Sequence, residues 1–242
     1  MNPNEKQLLF DTTKDMDIPL TEEMLGQFMV YQELLLDWNT RMNLTSITDK
    51  KEIVLKHFAD SLSPLPFLAE LKENAPSVID VGTGAGFPGI PLKIALPNIE
   101  LTLLDSLQKR ITFLETVCTD LALENVHCIH GRAEEFGKNP EFREGYDFCV
   151  SRAVAHLSML LEYTLPFLKV GGKLIALKGQ NFAVEVEESQ EALAILGGVV
   201  KEVKAVNIPN TDLQHQLIFI EKVSETPEKY PRTAKKMKQK ML

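Results

Sequence analysis

Four glycines, Gly82, Gly84, Gly86 and Gly89, fall close together in the segment SVIDVGTGAGFPGIPLKIALPNIELTLLDS, Ser77 to Ser106. An apolar run precedes them, a second follows, and the second ends in an acid, Asp105. Gly84 to Gly89 reads GxGxxG, a spacing that lets a tight turn bring backbone close to a nucleotide. An acid about 20 residues further on is placed to hydrogen-bond ribose hydroxyls. Two ligand classes share that adenosine, the dinucleotides and S-adenosyl-L-methionine. Three details favour the methyl donor. Asp80 precedes the first glycine, where a carboxylate would repel a pyrophosphate but suit an ammonium group. The motif follows a helical segment instead of opening the chain, and the chain closes with a pair of strand-like runs. A nicotinamide dinucleotide, and with it an oxidoreductase, remains the alternative. Pro88 and Pro91 suit the first turn of the helix after the glycines.

The nucleophile class leaves its own marks. Exocyclic amines are usually met by an Asn/Asp-Pro-Pro-aromatic motif, which this sequence lacks. Pyrimidine carbon-5 needs a covalent cysteine, and Cys149 lies inside a strand-like run with no proline partner. The segment expected at the end of the fourth strand is SRAVA, Ser151 to Ala155, which offers no general base. That suits a ring nitrogen such as guanine N7, an acceptor with a lone pair and no proton. Arg152 would then position a carboxylate, a phosphate or a base edge; its bland alternative is a local pair with an acid such as Asp147.

These residues need elements to hold them. Residues 21–38 read as a helix capped by Thr21 with Glu22 and Glu23 in its first turn. Lys50 to Leu62 reads as a second helix, stopped by Pro64 and Pro66. From Ser77 on, strands and helices alternate: SVIDVG, IELTLLDS, VHCIHG, YDFCVSRA and GGKLIALKG as strands, a single helix over AVEVEESQEALAIL, then VVKEVKAVNI and HQLIFIEKV as a closing pair. The pattern predicts an α/β, Rossmann-like, mostly parallel seven-stranded sheet with an N-terminal helical extension. Ligands of such sheets bind beyond the carboxyl ends of the strands. There Gly82, Asp105, Gly131–Glu134, Ser151–Arg152 and Lys178–Gly179 should gather. The division expected is a helical cap over 1–70, a donor-binding domain over 71–223 and a basic tail over 224–242.

Composition sets outer bounds. The 242 residues are 44% hydrophobic and 25% charged, a globular balance. No apolar run is long enough to span a bilayer, and no secretion signal opens the chain. Three scattered cysteines suit reduced thiols and a cytoplasmic location. Net charge is −8, unevenly spread: Lys222 to Leu242 holds seven Lys/Arg against two Asp/Glu, leaving 19 against 32 elsewhere. A basic tail on an acidic body suits an arm for nucleic acid.

The quoted segments WNTRMNLTSIT (Trp38–Thr48), KHFADSL (Lys56–Leu62), VIDVGTGAGFPGIPLKI (Val78–Ile94), DSLQKRITFLE (Asp105–Glu115), GRAEE (Gly131–Glu135), SRAVA and KYPR (Lys229–Arg232) resemble, in order and over nearly the whole chain, the bacterial small-subunit ribosomal RNA methyltransferase G family, also called glucose-inhibited division protein B. The resemblance implies a class I methyltransferase that uses S-adenosyl-L-methionine to methylate N7 of one guanine of 16S rRNA, as naked RNA or in the small ribosomal subunit particle. It implies donor contacts at Gly82, Phe87, Ala133, Glu134 and Arg152, to which the residue-level reading adds Asp105. Lys178, Arg232, Lys235 and Lys236 are the candidate RNA contacts. The tail departs from the family, reading TAKKMKQKML where a Gly- and Pro-containing stretch is usual; its charge survives. A monomer is expected, with no metal and no membrane partner. His57 and Asp60 share a helix face, a metal half-site without further ligands or a local hydrogen-bonding pair. Asn39 and Asn43 should bond backbone at a helix end, and Lys109 and Arg110 open a helix near the crevice. An RNA-binding module with a vestigial donor pocket is the reading from another class.

Overall fold

The computed structural model describes residues 3–68, 75–152, 154–179 and 182–242. Its centre is a seven-stranded sheet of order β3-β2-β1-β4-β5-β7-β6. The strands are β1 (Ser77–Val81), β2 (Glu100–Asp105), β3 (Val126–His130), β4 (Tyr146–Arg152), β5 (Leu168–Lys178), β6 (Gly198–Asn207) and β7 (Gln214–Lys222). β1 to β5 pair in parallel and β7 runs antiparallel to both β5 and β6. The central strands are near-continuous apolar runs, Val78–Val81 and Leu101–Leu104, because helices cover both faces. The order steps outward from β1 in both directions, which opens a crevice at the carboxyl ends of β1 and β4.

The described residues before β1 are mostly helical. Helix α1 (Pro3–Asp15) has no counterpart in the sequence reading; its mixed composition hides a narrow apolar stripe carried by Leu9. Helix α2 (Glu22–Asn39) begins as expected, with the Thr21 hydroxyl accepting from the Met24 amide at 3.2 Å. The second predicted helix exists but is not uniform. α3 (Lys50–Ile53), capped by Asp49, passes into a π-helical segment (Val54–Ala59) and then α4 (Asp60–Leu62). A π turn widens the helix and re-aims its side chains, a geometry concentrated at functional sites. Here it carries Lys56 and His57 and leads directly into Asp60. Leu9, Phe28, Tyr31, Phe58 and Leu62 are fully buried and join one continuous core with Val78, Ile90, Leu103 and Phe113 beneath the sheet. Each such burial contributes roughly 1.5–3 kcal/mol, so the cap is anchored firmly on the sheet face.

The remaining helices are α5 (Gly89–Ala95), α6 (Gln108–Asp120), α7 (Ala133–Phe136), α8 (Leu157–Thr164), α9 (Phe182–Glu188), α10 (Gln190–Leu196) and α11 (Ala234–Gln239). The single helix expected over AVEVEESQEALAIL is two, broken at the buried Ser189. Helices α8 and α10 pack on the second sheet face around Ile79, Cys149, Leu161 and Ile218, so Cys149 is core, as its position inside a strand indicated. The expected boundary between residues 70 and 71 lies outside the described residues. All three cysteines are free thiols. Among the described residues no helix is long and apolar enough to cross a membrane.

Candidate active site

A cleft of about 1000 Å³ opens where the crevice was expected, between the carboxyl ends of the strands and the cap. Gly82, Phe87, Asp105, Ala133, Glu134, Arg152 and Lys178 all line it. The glycine loop follows β1 and is pinned from below. The Gly82 and Thr83 amides donate to the Leu104 carbonyl at 2.9 and 3.2 Å. Asp80 does not face the cleft as expected. Its carboxylate turns under the loop, where Oδ2 accepts from the Thr83 hydroxyl at 2.7 Å and the Gly89 amide at 2.8 Å. It is fully buried, and burial pushes its pKa up to about 7. The acid therefore braces the turn through Oδ2.

Gly84 and Gly86 illustrate two different reasons for a glycine in this loop. Gly84 sits at φ +64°, and a Cβ built there meets nothing within 4 Å, so the loop presents bare backbone to open cleft. Gly86, at φ +98°, has no such space: a Cβ would lie 2.7 Å from the Tyr31 hydroxyl and 2.7 Å from Ile90. Tyr31 reaches up from α2 to donate its hydroxyl proton to the Ala85 carbonyl. The cap thus holds the loop from behind, a role the sequence did not signal.

Asp105, at the end of β2, is braced on three sides. Oδ2 accepts from the Gly84 amide at 2.9 Å, Oδ1 from the Leu107 amide at 2.9 Å, and the Arg110 guanidinium approaches at 3.1 Å. A carboxylate offers about four lone-pair sites, and a longer second contact from Arg110 to Oδ1 at 3.4 Å takes the fourth, so a ribose hydroxyl would bind in exchange for the Arg110 guanidinium. Beyond β3, the Gly131 amide bonds the Asp105 carbonyl at 3.0 Å, which sets the start of α7 with Ala133 and Glu134 beside the same cleft. Open backbone at Gly84, the Asp105 carboxylate and the α7 edge fit an adenosine-bearing donor.

On the other side of the cleft, Arg152 ends β4 and is the centre of a network. Its Nη1 donates to Asp60 Oδ2 at 2.8 Å and to the Lys56 carbonyl at 3.3 Å, and Nη2 lies 3.2 Å from His57 Nδ1. Asp147, the acid considered for it, is elsewhere, bonded to Ser77 and Lys169. Asp60 is fully buried, and its second oxygen meets His215 Nδ1 at 2.5 Å. Burial alone would raise the Asp60 pKa; the hydrogen bond from His215 and the Arg152 charge outweigh it and lower it. The Asp60 hydrogen bond raises His215. His57 goes the other way: burial first, and Arg152 second, lower it to about 4. Its Nε2 pairs with the Thr45 hydroxyl at 2.8 Å, and its ring stacks on Phe87 with centroids 4.6 Å apart. The Arg152 guanidinium lies 5.0 Å from the same ring centroid. Phe87, almost entirely covered, also stacks on Tyr31 at 5.4 Å. His57 thus turns to Arg152 and Thr45, and Asp60 to Arg152 and His215, each in a local hydrogen-bonding pair. Nothing in the sequence pointed to His215, which is 155 residues from its partner.

The candidate RNA residues separate. The Lys178 ammonium is paired with Glu185 at 2.6 Å and donates to the Ala155 carbonyl at 2.7 Å. Arg232 is turned inward: its guanidinium grips Glu162 with contacts of 2.9 and 2.7 Å, and its Nη1 donates to the Lys240 carbonyl at 3.0 Å. Lys235 and Lys236 are exposed on α11. Asn39 bonds backbone as expected, accepting from the Leu44 and Thr45 amides; Asn43 and Lys109 are exposed.

The family model for rRNA small subunit methyltransferase G matches residues 24–217. The chain is 48% identical over 231 residues to the ribosomal RNA small subunit methyltransferase G of Alkaliphilus oremlandii (strain OhILAs), covering 96% of each. It is 49% identical over 234 residues to the protein of that name from Thermoanaerobacter sp. (strain X514), covering 97% of each. Among solved structures, a SAM dependent methyltransferase from Aquifex aeolicus shares the fold, with a TM-score of 0.55 at 20% identity over 78% of this chain and 98% of that one. With the family model matching most of the chain and relatives this similar over nearly their whole length, the chain belongs to the rRNA small subunit methyltransferase G family.

Proposed function

We propose that this S-adenosyl-L-methionine-dependent ribosomal RNA methyltransferase acts on N7 of a guanine in 16S rRNA, as free RNA or in the small-subunit particle. The donor, when bound, supplies an electrophilic methyl group on a sulfonium. Gly82, Phe87, Asp105, Ala133, Glu134 and Arg152 would hold it. Gly84 gives its backbone room, and Tyr31 and Asp80 keep the loop in shape from beneath.

One observation supports the choice of nucleophile. The ionisable side chains around Arg152 are engaged with one another. Both ring nitrogens of His57 have partners, both oxygens of Asp60 have partners, and Glu185 is bonded to Lys178 and to the Leu157 amide. A nucleophile that must lose a proton is served best by a base without such competing partners. Guanine N7 has its lone pair already exposed, so orientation is what the chain must supply. Asp60, His57 and the Phe87 ring fix the Arg152 guanidinium in one plane at the cleft wall, where a planar partner can be held. Lys178, Lys235 and Lys236 are the proposed base- and phosphate-facing cations, while Arg232 anchors the tail. The reading has the enzyme working as a cytoplasmic monomer.

The test is methyl transfer from labelled donor to 16S rRNA and to 30S particles from an undermodified strain, followed by nucleoside mass analysis. 7-Methylguanosine is expected from one or both substrates. Its absence from both would overturn the proposal.

A further inference from the structure

The C-terminal segment was expected to be a basic arm, yet it is built into the fold along its length. Arg143 donates from Nη1 to the Gly137 carbonyl at 2.8 Å and the Tyr230 carbonyl at 3.0 Å, and from Nη2 to the Thr226 carbonyl at 2.5 Å. Gly137 is the residue that ends α7. A Cβ placed on it would meet Pro231 at 3.1 Å, so the tail packs directly on α7. Arg232 then fastens the chain to Glu162 of α8, with its own amide donating to Glu162 Oε1 at 2.6 Å. Glu162 is 1% exposed, and burying a carboxylate is tolerated only with so complete a partner. Met237 of α11 is fully buried and the Ser158 hydroxyl donates to the Leu242 carbonyl at 3.0 Å, which closes the far end. Ala234 and Lys238 of the docked helix line the same cleft as Ala133 and Glu134.

We propose that residues 226–242 complete the donor site: they hold α7 in place through Arg143 and Pro231 and form the cleft wall through Ala234 and Lys238. This rests on the function proposed above, since it is the donor whose adenosine end α7 would meet. Arg143, Glu162 and Arg232 are positioning residues that act through α7 and α11.

The experiment is calorimetric titration of S-adenosylhomocysteine into the full chain and three variants. Ala234→Phe projects a ring into the cleft from an outer helix and is expected to weaken binding by about tenfold or more, equivalent to roughly 1.4 kcal/mol, with an unchanged melting temperature. Arg232→Glu undocks the tail and is expected to weaken binding comparably. The exchanged pair Arg232→Glu with Glu162→Arg is expected to recover most of that loss, which a general unfolding defect would not permit. If the unaltered chain binds and A234F and R232E bind equally well, the inference is overturned while the function stands. If the unaltered chain does not bind S-adenosylhomocysteine at all, the donor reading itself fails and the inference with it.

Discussion

Replacing Asp60 by Asn tests the network that joins the cap to the sheet. The side chain keeps its volume and loses its charge. In the structure its two oxygens receive Arg152 from β4 and His215 from β7, at 2.8 and 2.5 Å, with no solvent contact. An amide can satisfy one donor with its oxygen, but its NH2 group then faces the other donor. A hydrogen bond to a charged group contributes about 1.5–3 kcal/mol, so roughly 3–6 kcal/mol is the ceiling for losing both, and the oxygen that remains retains part of it. Arg152 is 13% and His215 25% exposed at the side chain, which allows partial rehydration. The expected loss is therefore about 2–4 kcal/mol, read as a lower urea midpoint at unchanged slope. Donor affinity should fall with it, because Arg152 loses the carboxylate that orients it. A double-mutant cycle with His215→Gln measures the coupling, expected to be about 1 kcal/mol or more. D60N within about 0.5 kcal/mol of the parent, or strict additivity with H215Q, would refute the reasoning.

The same cluster predicts an acid response with a definite sign. His57 is lowered to about 4, so the unfolded chain binds its proton first and stability should fall as pH drops from about 6.5 towards 4; His57→Gln should flatten that limb in pH-dependent denaturation. His215 is raised, so its contribution is complete below about 6.5 and is lost as pH rises through its folded value; H215Q should flatten the other limb. Gly84→Ala should cost only the left-handed backbone strain, about 1–2 kcal/mol, yet fill the cradle, so calorimetry should show weakened S-adenosylhomocysteine binding in a protein that still folds. Tyr31→Phe removes a buried hydrogen bond to the Ala85 carbonyl and should cost about 1 kcal/mol of stability. Lys235→Glu with Lys236→Glu should leave donor binding intact, weaken RNA binding and shallow its salt dependence by about 1.4 in log–log slope if both lysines meet phosphate on single-stranded RNA.

The order of elements was legible because each signal is local. Thr21 caps α2 through an atom three residues away, and alternating apolar runs of strand length between amphipathic stretches can fold only as a covered parallel sheet. The glycine loop and Asp105 announce themselves by spacing, since both lie at strand ends that the sheet must bring together. The resemblance of seven segments in order supplied the family, and near-full-length identity agrees with it. What tertiary structure alone decided is where side chains turn once those ends meet. Asp80 faces down because the turn closes over it; Arg152 finds Asp60 instead of Asp147 because the π-helical segment and the start of α4 bring Lys56, His57 and Asp60 against the end of β4; Arg232 faces inward because Glu162 is buried beside it. Tyr31 and His215 become site residues through contacts 54 and 155 residues away along the chain. Periodicity records which face of an element is apolar; partners at that separation are fixed by packing.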